Sequence, residues 1–289
     1  MRRLLTPCLL AGACVPAALP AAAPAQEVRR PLLEAGALFG GGLLPDYPAS
    51  DRTEPRALAL PWLIYRGEIL QSDERGLRGR LYRSTDLELT INANGALGSQ
   101  SGGGAREGME DLDPLGEVGP SLRWVAWRDT SRLTRIVLEA PVRAAFTTDF
   151  SRIRHRGFVL APEVSVERTG LFQPGGRQDR ARIGLGPVFA TGGLMDYWYR
   201  VRPEEARANR PTYDADGGYL GMRLQFSYRV PVTDRITLTA GGRVENFSGA
   251  ANADSPLFRS EWNATVVGGI SVSLYRSEAT VASGAEPYD

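Results

Sequence analysis

His155 is the chain's single histidine, and it sits in Ser151-Arg152-Ile153-Arg154-His155-Arg156. A serine, a histidine and an orienting acid would make a nucleophile–base relay. No Gly-x-Ser-x-Gly element accompanies it, and three arginines crowd the imidazole, so a solvated basic loop is expected. Asp46 with Asp51, and Glu110 with Asp111 and Asp113, offer the carboxylate oxygens that calcium prefers, but their spacing matches no calcium loop. Gly102-Gly103-Gly104 lacks the strand–helix context of a phosphate cradle and is expected as a loop tip. Asn246-Phe247-Ser248 and Asn263-Ala264-Thr265 fit the glycosylation pattern, as short matches do by chance. The expectation is no enzyme, no metal and no cofactor.

The elements that would position such residues begin after a leader. Met1-Arg2-Arg3, an Ala-rich apolar stretch from Leu4 to Leu19, and Ala23-Pro24-Ala25 form the three parts of a secretory signal peptide over residues 1–25. Pro7, Pro16 and Pro20 interrupt it too often for a membrane helix. Both cysteines, Cys8 and Cys14, fall inside it, which excludes disulfides from the mature chain. Leu10 to Cys14 also looks somewhat like a lipoprotein cleavage site, with the large apolar residue one place too far from the cysteine. A net charge of +1 gives no field that would gather nucleic acid. Mean hydropathy is −0.23, and no later apolar run reaches the ~18 residues of a spanning helix. A barrel passes that test, because only alternate residues of each strand meet lipid.

Alternation dominates the rest. Leu87, Leu89, Ile91 and Ala93 alternate with Glu88, Thr90, Asn92 and Asn94, and the runs 220–230, 236–245 and 262–274 repeat the period. Strands are expected at 33–42, 57–66, 67–73, 77–82, 85–98, 113–127, 132–148, 156–169, 179–191, 217–231, 234–248 and 262–276. They predict an all-β antiparallel transmembrane barrel over 26–276 of about 12 strands, with 10 possible because the third and fourth are weakest. A tail, 277–289, is expected to lack fixed structure. The best helical candidate is Pro203 to Ala208.

A β-sandwich would alternate too. Strand length favours the membrane, since spanning strands need about 9–11 residues. Links also alternate between tight (Arg83-Ser84, 128–131, Val232-Thr233) and long (43–56, 99–112, 192–216, 249–261), as between periplasmic turns and outer loops; 170–178 breaks the rule. Trp62, Tyr65, Trp124, Trp127, Tyr197, Trp198, Tyr199, Tyr228, Trp262 and Tyr275 near strand ends suit interfacial girdles. Pro120, Pro141, Pro162 and Pro187 fall inside strands and are expected as bulges or bends. Inward charges such as Arg223, Arg229, Arg243 and Glu245 admit two readings: an aqueous lumen biased to anions, or paired networks that fill it, the latter expected.

Some segments go beyond barrel physics. Leu44-Pro45-Asp46-Tyr47-Pro48-Ala49-Ser50-Asp51 resembles the Pro-x-Tyr-x-Gly-Ser-Asp first loop of the MipA/OmpV family (MltA-interacting protein), with Ala49 where glycine is usual. Leu58 to Arg66, Gly108 to Asp113 and Glu117 to Pro120 are similar to its following elements. The most specific match runs Met195-Asp196-Tyr197-Trp198-Tyr199, through Pro203, to Tyr213-Asp214-Ala215-Asp216-Gly217-Gly218, and Ala253-Asp254-Ser255-Pro256-Leu257 precedes the last strand. The resemblance implies a cell outer-membrane barrel in contact with outer-membrane lipid. It also implies a scaffold between a murein lytic transglycosylase and a murein synthase in cell-wall assembly. A small-solute channel, an adhesin and, last, a lipid-modifying enzyme are the other classes.

Overall fold

Alternation gives each strand two faces, and this fold turns the apolar one outward. The computed structural model describes residues 29–65, 70–73, 76–96, 98–99 and 102–282. Phe39, Leu60, Leu122, Leu185, Phe226 and Ile270 are exposed, while Ser121, Arg123, Arg135, Glu167, Glu245 and Thr265 are buried. Charged side chains are almost never buried in soluble proteins unless paired. An apolar belt around a polar interior is the arrangement of a membrane barrel. Among the described residues no helix is long and apolar enough to cross a membrane.

In chain order the strands are β1 (Arg29–Pro31), β2 (Leu33–Pro45), β3 (Thr53–Tyr65), β4 (Leu70–Asp73), β5 (Gly76–Arg83), β6 (Leu87–Ala96), β7 (Leu115–Arg128), β8 (Thr134–Thr148), β9 (Ile153–Leu160), β10 (Glu163–Thr169), β11 (Arg180–Ala190), β12 (Gly218–Pro231), β13 (Ile236–Asn246), β14 (Trp262–Arg276) and β15 (Thr280–Ala282). Twelve of them form one antiparallel path from β3 through β2 and β14 down to β4, with β9 beside β8 and β11. The two end strands, β3 and β4, are consecutive in the chain and adjoin, so the sheet curls into a barrel. The described residues 98–99 and 102–114 and the long links 191–217 and 247–261 gather with 46–52 at one end, and 84–86, 129–133, 170–179 and 232–235 at the other.

The stave expected at 156–169 is broken: β9 and β10 both pair with β8, and Ala161-Pro162 separates them. Proline has no N–H to give the ladder, which is why the break falls there. Gly186 on β11 faces the break so closely that a Cβ would lie 1.9 Å from the Pro162 carbonyl oxygen, so only glycine fits. The second stave starts at Thr53 rather than 57. Pro203–Glu205 forms the short helical turn expected there, a 3-10 turn with proline at its start, while α1 (Gly192–Tyr199), just upstream, was not expected. Part of the supposedly unstructured tail is ordered, since β15 pairs with β1. The expected signal peptide, and 283–289, lie outside the described residues.

Candidate functional site: a sealed mouth over a charged lumen

The long loops do not trail into solvent. They fold into a core of their own across the barrel's mouth. Leu194, Met195, Trp198 and Tyr199 of α1 pack with Tyr47, Met109, Leu112, Phe247 and Leu257 from the other loops, and with Val188 and Leu220 from the barrel wall. Leu220 shares the parity of the outward Leu224 and Phe226, but the β11–β12 ladder skips it, and this bulge accompanies its turn into the core.

The resemblance-bearing residues lie far apart in sequence and converge here. Tyr47 donates its hydroxyl to the Leu257 carbonyl at 2.8 Å, and Tyr199 donates to the Pro48 carbonyl at 3.0 Å. Their rings meet edge to face, with centroids 6.5 Å apart. Tyr197 donates to the Asp113 carbonyl at 2.6 Å. Ser255 donates to the Tyr199 carbonyl at 2.9 Å, with Pro256 beside it. Asp196 accepts the Ala215 N–H at 3.1 Å, and Asp46 accepts Arg56 at 2.9 Å. Gly217 lies so near Gly192 that a Cβ would come within 2.7 Å of its backbone nitrogen. Ser50 offers its carbonyl to Asn263 at 2.7 Å, and Tyr213 donates to Asn252 at 3.2 Å. Met195 is wholly buried, Pro203 starts the 3-10 turn, and Asp51 and Asp214 make exposed pairs with Arg259 and Arg200.

Residues without a sequence signal complete the seal. Arg106 donates to the Trp198 and Glu110 carbonyls at 3.2 and 3.1 Å, and Arg210 donates to the Ala105, Glu107 and Glu205 carbonyls. Asn252 accepts the Asp216 N–H and returns a bond to its carbonyl. Asn263, whose Asn-x-Thr setting suggested only a chance match, accepts the Ala49 N–H at 2.8 Å.

Burial pushes the Tyr47 hydroxyl from 10.0 up to about 12, and burial also raises that of Tyr199 well above its ordinary value. A folded-state value above the unfolded one means a contribution fully present below pH 10 and lost as pH rises through about 12. The seal is therefore expected to open across that interval. Tyrosinate absorbance and protease cutting within 191–217 should rise together there; cutting already present at pH 8 would count against a folded seal.

Beneath the seal the lumen is charged and largely paired. Glu167 accepts Arg123 at 3.1 Å and Arg135 at 2.8 Å, with Arg182 at 3.5 Å. Glu245 pairs with Arg223 at 2.9 Å and Arg243 at 3.2 Å, and Glu117 accepts Arg143 at 2.8 Å. These networks do not fill the space, as a cavity of about 370 Å³ remains.

The supposed chemistry is scattered. The His155 ring is exposed and lies between Phe146 and Phe158, each centroid 5.2 Å away. Among the described residues no three histidine or acidic side chains group as metal ligands would. Of the aromatic set, Trp124, Trp127, Trp262 and Tyr275 are exposed on the wall, but Trp198 and Tyr199 belong to the seal instead of a girdle.

A family model described as MltA-interacting protein MipA matches residues 37–274. A solved structure, a NanC porin in a rhombohedral crystal form, is similar over 83% of this chain and 100% of that chain, with 10% identity and a TM-score of 0.39. No curated protein matches.

Proposed function

The chain belongs to the MltA-interacting protein MipA family, and from that premise we propose a non-enzymatic outer-membrane scaffold that holds a murein lytic transglycosylase, and a murein synthase with it, at the short-turn end. The observation that carries the reading is the sealed mouth. Loops folded into a hydrogen-bonded core suit a fixed platform better than an open pore, and they leave the opposite rim as the working surface.

That rim has one long, built loop, 170–179. Leu171 and Phe172 are exposed, Phe172 at 73%. Burial alone would push the Asp179 carboxyl up, but the Tyr228 hydroxyl and the N–H groups of Phe172 and Gln173 hold it below the usual carboxylate range. Asp179 thereby fixes the loop that presents Phe172.

A photo-crosslinking residue in place of Phe172 is expected to capture a lytic transglycosylase in cells. The same probe at Phe150, 89% exposed at the sealed end, should not. Capture at neither position, or equal capture at both, would overturn docking at this rim.

A further inference from the structure

The hairpin between β8 and β9 carries features that neither the seal nor the wall uses. Phe150 is 89% and Ile153 76% exposed, the two most exposed large apolar side chains among the described residues. Arg152 and Arg154 stand beside them, and Asp149 is the one acid from 149 to 156.

The tip is built rather than loose. Phe150 has a φ of +66°, a left-handed backbone that a bulky side chain seldom adopts. The Thr148 hydroxyl oxygen accepts its N–H at 3.0 Å, and the Asp149 carboxylate accepts the N–H groups of Ser151 and Arg152, both at 2.8 Å. Such a conformation persists only where the surroundings enforce it. The result is a fixed aromatic ring that touches little of the protein.

The tip also continues the lipid-facing wall. Ala144, Phe146 and Thr148 on β8 stand opposite Phe158, His155 and Ile153 on β9. The β8 residues between them, Ala145 and Thr147, are fully buried, so this set faces outward. Phe158 is exposed on the apolar belt, the His155 ring lies between Phe146 and Phe158, and Ile153 is the last outward step before the turn.

The charge at the tip suits a phosphate. Asp149 commits one carboxylate oxygen to the turn, and its other oxygen meets Arg154 only at 3.8 Å. Arg154 stays half exposed and Arg152 is exposed. Arg156 is turned away onto the Tyr197 ring, 4.9 Å from its centroid. Apolar side chains that enter the boundary between headgroups and acyl chains give only marginal attachment, and a basic patch is the usual second signal. Guanidinium groups match phosphate oxygens with paired donors. Here both signals lie within five residues of chain, from 150 to 154.

We infer that the β8–β9 tip is a lipid-headgroup anchor: Phe150 and Ile153 enter the leaflet around the sealed mouth, and Arg152 and Arg154 hold the phosphate of an anionic lipid there. The anchor lies at the rim opposite the proposed docking loop and does not depend on it.

The test uses the full chain with a diazirine-bearing aliphatic residue in place of Ile153, reconstituted in phosphatidylcholine vesicles with about 10% phosphatidic acid. After illumination, mass spectrometry is expected to find lipid adducts at that position. Phosphatidic acid should exceed its share of the vesicle at least about fivefold, the ratio that one basic residue near an anionic surface contributes. Arg152→Gln with Arg154→Gln should return the adducts to the bulk ratio. Phe150→Gly, which suits the left-handed backbone, should lower their yield. Arg235→Gln, exposed at the short-turn end, should leave both unchanged. Heat-shifted gel mobility reports whether each variant folds. Should one fail, about 1 M salt, which shortens the screening length to about 3 Å, must lower the enrichment at the unaltered tip instead. Adducts with water alone, with a second copy of the chain, or with lipids in bulk proportion would overturn the proposal. So would a folded arginine variant that keeps the enrichment, or an undiminished yield without Phe150.

Discussion

Glu167→Gln is expected to destabilise the barrel by about 3–5 kcal/mol, the usual loss when one member of a buried charge network is removed. Glu167 is 2% exposed and lies between Arg123 and Arg135, themselves 7% and 4% exposed. Glutamine keeps the shape and loses the charge, so two guanidinium groups stay in a place water barely reaches. The comparison is Asp214→Asn, which removes the exposed pair with Arg200. Exposed pairs contribute about 0–1 kcal/mol. Urea midpoints of the two variants, read by heat-shifted gel mobility, should therefore differ widely. Equal midpoints would show that the lumen network is solvated and structurally idle.

Replacing Tyr47 and Tyr199 together by alanine should open the mouth while the barrel stands. Tyr199 is 1% and Tyr47 6% exposed, and each ties one loop to another through its hydroxyl. Deleting a buried aromatic side chain costs about 3–5 kcal/mol. Two such losses fall on a small loop core, whereas the strand ladders lose nothing. In planar bilayers the native protein should show no unitary steps, and the double variant should show them. Steady conductance from the native protein would refute the seal. A silent but folded variant would show that other contacts close the mouth.

The barrel was legible because its physics is local. An alternating strand declares both faces within a few residues, and the tight links announce one rim. The start of β3 was missed because Glu54, Pro55 and Arg56 mask the period, although Glu54 and Arg56 turn inward and Pro55 outward as a strand requires. Helix α1 was missed for another reason. It is 8 residues long, opens on two glycines and gets its burial from loops far away, so no helical stripe had room to appear. The seal itself was not legible. Its bonds run from side chains to carbonyl groups such as Leu257, Pro48 and Asp113, and a carbonyl has no signature in sequence. Residue pattern marked the segments that matter at the mouth. It could not say that they meet.

The pairing of β2 with β14 bears on how the chain matures. Every other main-path neighbour is a short step along the chain, but this seam joins residues such as Phe39 and Ile270. Closing so long a loop is the slow kind of event in folding, because its entropy is lost before most contacts form. The edges of β2 and β13 stay unpaired until β14 arrives. A ribosome that stalls before Trp262 would release a chain with two open edges, the kind that template aggregation. Such a protein needs a chaperone's cover for nearly its whole synthesis, and its quality control falls to whatever recognises β14.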